Sequence, residues 1–271
     1  MHVHEWGPPD GPAVLLVHGN PTWSFLWRKV VAQVRARPGG DRLRLIAPDL
    51  IGLGLSSKPA GSAHSLAQHV AWLGEVVDKI APGPLVLVAQ DWGGPIGLGV
   101  MTTRRDRLRG LVLGNTSVSP PAGTFKPTLF HRLSQLPVAS DLLFRWLGFP
   151  LRHLHLSQGE RSSIRGDVAR AYRWPLAKRA DRAAPLALAR MVPDRATGHP
   201  SLPMLARTHE LFATIDVPIH LVWGTRDPIL GRVVNHLERT RPDAKITRTS
   251  AGHFLQEEVP DALADAIVAV S

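Results

Sequence analysis

Short apolar runs alternate along this chain with stretches whose apolar residues recur every three or four positions. The runs at 13–17, 44–48, 86–90, 111–114, 218–224 and 245–249 are four to seven residues long, are bounded by turn residues and read as strands. Between them, Trp23, Trp27, Val30, Val31 and Val34 fall on one face of a helix, and Leu66, Val70, Leu73, Val77 and Ile80 on one face of another. Ser65 precedes the second helix, and Gln68 stands at the capping-box spacing. Strands alternating with helices predict a mostly parallel sheet covered on both faces, with ligands bound beyond the carboxyl ends of the strands.

The rhythm changes between residues 119 and 203. Prolines become frequent, strand patterns vanish, and helical pieces at 142–147 and 161–172 alternate with loops. We read 119–203 as a helical cap inserted between two parts of one core, 1–118 and 204–271. The second part carries a helix at 201–214, another marked by Val233, Val234 and Leu237, and a last one with Leu263, Ile267 and Val270 on one side.

Three chemically capable side chains fall at the ends of predicted strands. Ala89, Gln90, Asp91, Trp92 and Gly93 follow the small-x-acid-x-small spacing of a sharp strand-to-helix corner, at which the central side chain is exposed. A carboxylate at that corner attacks saturated carbon by displacement and leaves an ester on the protein. Asp227 and His253 follow in the order nucleophile, acid, histidine, which suits an imidazole that activates water and a carboxylate that orients it. Each residue also has a plainer reading: Asp91 as a helix cap, Asp227 as a turn residue before Pro228, and His253 as a helix-entry residue.

An aspartate nucleophile suits alkyl halides and epoxides. A departing halide needs neutral N–H donors in a dry pocket, whereas an epoxide oxygen needs a proton donor. The single tyrosine, Tyr172, disfavours a two-tyrosine epoxide-opening arrangement. The Trp92 indole and the Asn20 amide, the latter at the neighbouring strand end, offer N–H donors.

At 271 residues and 44% hydrophobic content the chain can build a substantial core. The absence of cysteine excludes disulfides, thiolate metal sites and a cysteine nucleophile. The net charge of +10 comes mostly from scattered arginines without interleaved aromatics, so solvated faces are expected rather than specific nucleic-acid binding. No signal segment and no apolar run long enough for a membrane span occurs, which points to a soluble, cytoplasmic protein. Gly52 with Gly54, and Gly94 with Gly97 and Gly99, miss the dinucleotide-binding spacing; His153 and His155 lack a third ligand. No metal and no organic cofactor is therefore expected.

The stretches His18 to Arg28, Gln90 to Gly94, Trp223 to Pro228 and Ala251 to Glu258, with Tyr172 to Pro175, resemble motifs of the haloalkane dehalogenases of the α/β-hydrolase superfamily. The resemblance implies an α/β-hydrolase fold with an inserted cap, and hydrolysis of a small apolar haloalkane to alcohol, halide and proton. It further implies Asp91 as nucleophile, His253 as base, Asp227 as supporting acid, Asn20 and Trp92 as the halide pair, and their backbone N–H groups as the oxyanion hole. Some members carry a glutamate acid at a position that looks like Asn115 here, which leaves Asp227 in that role. The chain begins at what looks like the family's second strand, so the usual first edge strand is expected to be missing. Trp146 and Trp174 are secondary halide-donor candidates, and Phe130, Phe144, Phe149 and Leu151 either line the substrate slot or pack the cap. The competing readings are an aspartate-based epoxide hydrolase and a catalytically silent binding protein of the same fold. Oligomeric state is not encoded in these motifs.

Overall fold

The computed structural model describes residues 1–121, 129–194 and 197–271, with 129 and 130 described through their backbone. Seven strands form one sheet: β1 (Val3–Trp6), β2 (Ala13–Val17), β3 (Arg44–Pro48), β4 (Leu85–Gln90), β5 (Leu108–Gly114), β6 (Ile219–Gly224) and β7 (Lys245–Thr249). Their spatial order is β1-β3-β2-β4-β5-β6-β7, with β1 antiparallel to β3 and every other pairing parallel. The apolar pattern predicts all of these except β1. That strand has only four residues, two of them polar, and lies at the sheet edge, so it needs no continuous apolar run.

Alternation along the central strands divides the core in two. Val14 and Leu16 of β2, Val86 and Val88 of β4, and Val112 and Val222 face one side, where they pack with Trp27, Val30, Val34, Leu263 and Ile267. Leu15, Val17, Leu87, Ala89, Leu111 and Leu113 face the other, against Leu73, Val77, Ile96, Leu205 and Phe212. Every residue of β4 and of β6 is buried, which explains why both are apolar apart from Gln90 and His220.

The first face is covered by α1 (Arg28–Arg35) and the C-terminal helix, and the second by α2 (Leu66–Ile80) and α3 (Gly93–Met101). The capping prediction for α2 holds, since Ser65 Oγ accepts a hydrogen bond from the Gln68 N–H at 3.1 Å. Trp23 departs from the helical face expected of it. Its backbone is extended, ahead of a 3-10 turn at Ser24–Trp27, and its ring stacks on Phe25.

Between β5 and β6 the described residues include α4 (Leu129–Ser134), α5 (Ala139–Asp141), α6 (Gly166–Arg173), α7 (Ala183–Arg190) and α8 (Leu202–Thr214), and no strand. The helix expected over 161–172 is split into a 3-10 turn at Arg161–Ile164 and α6, because Gly166 takes a left-handed φ of 54°. Residues Leu142–Trp146 wind as a π-turn that buries Phe144. After β6 come α9 (Val234–Thr240), and after β7, α10 (Leu255–Glu258) and α11 (Pro260–Val270). No helix among the described residues is long and apolar enough to cross a membrane.

Candidate active site

Asp91 occupies the corner between β4 and α3 with φ +51°, a left-handed conformation that turns its side chain away from the strand. The corner is held by three hydrogen bonds: the Asp91 N–H donates to Asn115 O at 3.1 Å, and Asp91 O accepts from the Gly94 N–H at 3.1 Å and from Thr116 Oγ1 at 2.6 Å. Glycine is required beside it, since a Cβ at Gly93 would lie 2.1 Å from Val17 O. The plainer reading of Asp91 as a helix cap fails: α3 has no side-chain cap, and the carboxylate turns elsewhere.

It turns toward the loop after β2. The Asn20 backbone N–H donates to Asp91 Oδ1 at 2.7 Å. This approach depends on Gly19, where a Cβ would lie 2.2 Å from the same oxygen. His18 fixes the loop from below: its Nε2 accepts from the Leu50 N–H at 2.9 Å and its Nδ1 lies 2.9 Å from Gly19 O. Burial lowers the His18 pKa, so the ring is neutral, and the two contacts place its proton on Nδ1.

Asn20 and Trp92 line the same cavity as Asp91. Asn20 Nδ2 donates to Pro185 O in α7 at 3.0 Å, which sets the amide orientation and leaves its second hydrogen uncommitted. Among the described residues the Trp92 indole N–H has no hydrogen-bond partner.

His253 stands between two carboxylates. Its Nε2 is 3.5 Å from Asp91 Oδ2 and its Nδ1 is 2.8 Å from Asp227 Oδ2. Asp227 is both triad-like and a turn residue, because its other oxygen, Oδ1, accepts from the Ile229 N–H at 2.7 Å. Asn115, at the position considered for an acid, instead donates from Nδ2 to Asp227 Oδ2 at 2.7 Å. Burial by itself raises the Asp227 pKa, yet the His253 charge and the hydrogen bonds from His253, Asn115 and Ile229 outweigh it and hold the carboxyl below its ordinary range. Burial favours neutral His253, but the charge and hydrogen bond of Asp227, with those of Asp91, push its pKa up to about 10.

These groups open into a cavity of about 700 Å³. Its apolar wall includes Leu154, Val192, Leu205, Ile229, Leu230 and Phe254, a composition that excludes water and favours an apolar ligand. His131, His153 and His209 also border it. Neither His131 nor His209 stands in a motif that sequence reasoning could use; His153, an exposed residue, also reaches the cavity rim.

The remaining candidates separate. Phe149 lines the cavity, whereas Phe144 is buried in a small cluster with Leu186 and Ala189, and Leu151 in the main core. The side chain of Phe130 lies outside the described residues. Trp146 and Trp174 are surface residues, 57% and 63% exposed, packed against Arg179 and Trp23 respectively, and neither borders the cavity. Tyr172 is buried, with its hydroxyl donating to Glu257 Oε1 at 2.5 Å.

Residues 14–266 match the Alpha/beta hydrolase family. The chain is similar to haloalkane dehalogenase 2 of Mycobacterium tuberculosis, at 36% identity over 98% of this chain and 90% of that protein. It is also similar to a haloalkane dehalogenase of Mycobacterium marinum, at 32% identity over 99% of this chain and 87% of the other. Among solved structures it resembles haloalkane dehalogenase DbeA from Bradyrhizobium elkani, with a TM-score of 0.84, 26% identity and coverage of 99% and 94% of the two chains. The ancestral haloalkane dehalogenase AncHLD2 gives a TM-score of 0.85 at 27% identity, covering 99% and 93%. A chain with this sheet, this corner aspartate and relatives matched over nearly their whole length belongs to the haloalkane dehalogenase family of α/β-hydrolases.

Proposed function

We propose that this protein hydrolyses the carbon–halogen bond of small apolar haloalkanes through a covalent ester on Asp91. The observation that carries the reading is the line Asp91, His253, Asp227, with contacts of 3.5 and 2.8 Å, at one wall of an apolar cavity. Residues 1–118 and 204–271 form the catalytic core on this reading, and 119–203 the cap over it.

Asp91 Oδ1 is occupied by the Asn20 N–H, so Oδ2 is the oxygen that attacks. It forms a bond to the halogen-bearing carbon as the carbon–halogen bond breaks. The halide leaves with its charge, which the Trp92 indole N–H and the Asn20 amide N–H stabilise. Water then adds to Asp91 Cγ while His253 Nε2 takes its proton, and Asp227 balances the resulting imidazolium. The negative charge passes to Oδ1, where the Asn20 backbone N–H, with that of Trp92, receives it. Collapse of this intermediate breaks the bond between the alkyl oxygen and Cγ, and the proton from His253 completes the alcohol. No external cofactor enters the sequence of steps.

Esterification also prepares the second step. It removes the smaller of the two anionic influences that hold the His253 pKa up, so the imidazole's pKa falls as the ester forms.

The epoxide reading lacks a tyrosine to donate the proton, because the chain's single tyrosine is buried on Glu257 and does not border the cavity. The test is mass spectrometry of His253→Ala after incubation with 1-bromobutane. The expected result is a stable butyl adduct that peptide mapping places on Asp91. A folded variant that carries no adduct would remove the mechanism.

A further inference from the structure

At the opposite end of the chain's chemistry, β1 brings a second set of ligand-bearing side chains together. Alternation places His2 and His4 on one face of the chain as it enters and runs along β1. Antiparallel pairing sets Val3 against Pro48 and His4 against Ala47, so this face meets the residue that follows β3, the buried Asp49. The Nε2 atoms of His2 and His4 are 3.1 Å apart, and the ligand atoms of His2, His4 and Asp49 all lie within 4.8 Å of one another. A tetrahedral ion with bonds of about 2.0–2.1 Å to its ligands separates them by about 3.3 Å, so the two imidazoles already stand near bridging distance.

We propose that His2, His4 and Asp49 form a binding site for a divalent transition-metal ion, which ties the edge strand β1 to the loop after β3. Two imidazoles and one carboxylate suit Zn²⁺, Ni²⁺ or Cu²⁺, whereas Mg²⁺ and Ca²⁺ require oxygen ligands throughout. The ligands are held in advance. The Asp49 N–H donates to His2 O at 2.8 Å, the His2 N–H donates to Ser56 Oγ at 2.8 Å, and the His4 ring stacks on Trp6. Asp49 accepts from the Ser24 N–H at 2.7 Å and the Leu55 N–H at 2.8 Å. A carboxylate offers about four acceptor positions, so both bonds can persist while an oxygen binds the ion. None of the three ligands borders the cavity of Asp91, so the ion acts on the stability of the N-terminal strand and loop, separately from dehalogenation.

The test is calorimetric titration of chelator-treated protein with Zn²⁺, with Mg²⁺ as control, together with thermal unfolding of the wild type, His2→Ala and His4→Ala. The expected result is one Zn²⁺ per chain, an affinity at least about tenfold lower in each variant, and a higher unfolding midpoint with Zn²⁺ in the wild type alone. Dehalogenation by metal-free His4→Ala should match that of the wild type. Absence of binding at millimolar Zn²⁺ would overturn the proposal, as would binding that both variants retain, since the ion would then sit on others of the 13 histidines. Binding without a higher midpoint would overturn the tie between β1 and the loop.

Discussion

Asn115 and His253 converge on one oxygen of Asp227. The Asn115 amide donates to Oδ2 at 2.7 Å, and His253 Nδ1 donates to the same atom at 2.8 Å. Asn115 is itself anchored, because its Nδ2 also donates to Gly224 O at 3.0 Å and its Oδ1 accepts from the Gly224 N–H at 2.7 Å. The side chain thus joins the end of β5 to the end of β6 and fixes the acid from the side opposite the imidazole. Asn115→Ala should destabilise the fold by about 2–4 kcal/mol through lost buried hydrogen bonds. The Asp227 pKa should rise toward the ordinary 3.8. Stability from a depressed carboxyl pKa is present above the ordinary value and lost as pH falls through the folded value, so the variant should acid-unfold at higher pH. Thermal unfolding across the acid range and a pH–rate profile check this; an unmoved acid limb would contradict it.

The imidazole behaves with the opposite sign. Its folded pKa of about 10 lies above the ordinary 6.5, so its contribution to stability is complete below 6.5 and disappears as pH rises through about 10. The unfolding midpoint of the free enzyme should therefore fall between neutral pH and pH 10, and His253→Ala should flatten that slope. Parallel slopes in the two proteins would show that other groups account for it.

Gly19→Ala tests how closely the oxyanion loop must approach the nucleophile. The added methyl would sit 2.2 Å from Asp91 Oδ1 and 2.4 Å from Asp91 Cβ, which no side-chain rotation moves, so the loop and the Asp91 corner must move apart. Loss of the Asn20 N–H contact should slow turnover by about 10² or more with a near-native circular dichroism spectrum. Retained activity would mean that the contact is dispensable.

The halide pair makes separable predictions. Trp92→Phe removes the indole donor while keeping the ring's packing, and Asn20→Ala removes the amide along with its bond to Pro185 O. Each should weaken bromide inhibition and reduce halide release in single turnover by about 10²-fold. Equal inhibition of wild type and Trp92→Phe would exclude the indole from halide binding.

Glu257 ties Tyr172 of α6 to Arg28 of α1. The buried Glu257 carboxylate binds Arg28 through both oxygens, at 2.5 and 2.8 Å, and accepts the Tyr172 hydroxyl at 2.5 Å. Glu257→Gln strands the Arg28 charge and should cost about 3 kcal/mol, whereas Tyr172→Phe, which removes one neutral donor, should cost about 1 kcal/mol. Denaturant unfolding of the two variants and their double mutant measures the coupling. Strict additivity would show that the hydroxyl and the ion pair act independently.

Much of this organisation can be read locally. The unbroken apolar run of β4 exists because both faces of a central parallel strand are buried, and the small residues after it exist because Val17 O and Thr116 leave no room for a Cβ. Those constraints come from distant residues but leave their mark on consecutive positions around Asp91, so the chain shows them directly. β1 escaped because edge strands are covered on one side and tolerate His4 and Glu5. The split at Gly166 escaped because a left-handed φ is invisible in the apolar periodicity.

The linear chain on its own determined the order of the six strands after β1 and of the main helices between them, put Asp91, Asp227 and His253 forward as site candidates, and excluded any thiol chemistry. Folding alone decided the rest. It turned Asn115 from a vacant acid position into a clamp on Asp227, aimed the Asn20 amide through Pro185, 165 residues away, and gathered His131, His153 and His209 around one cavity. The physical reason is that hydrophobic periodicity records which face of a segment avoids water, while hydrogen bonds between distant loops depend on where the packed sheet happens to deliver their ends.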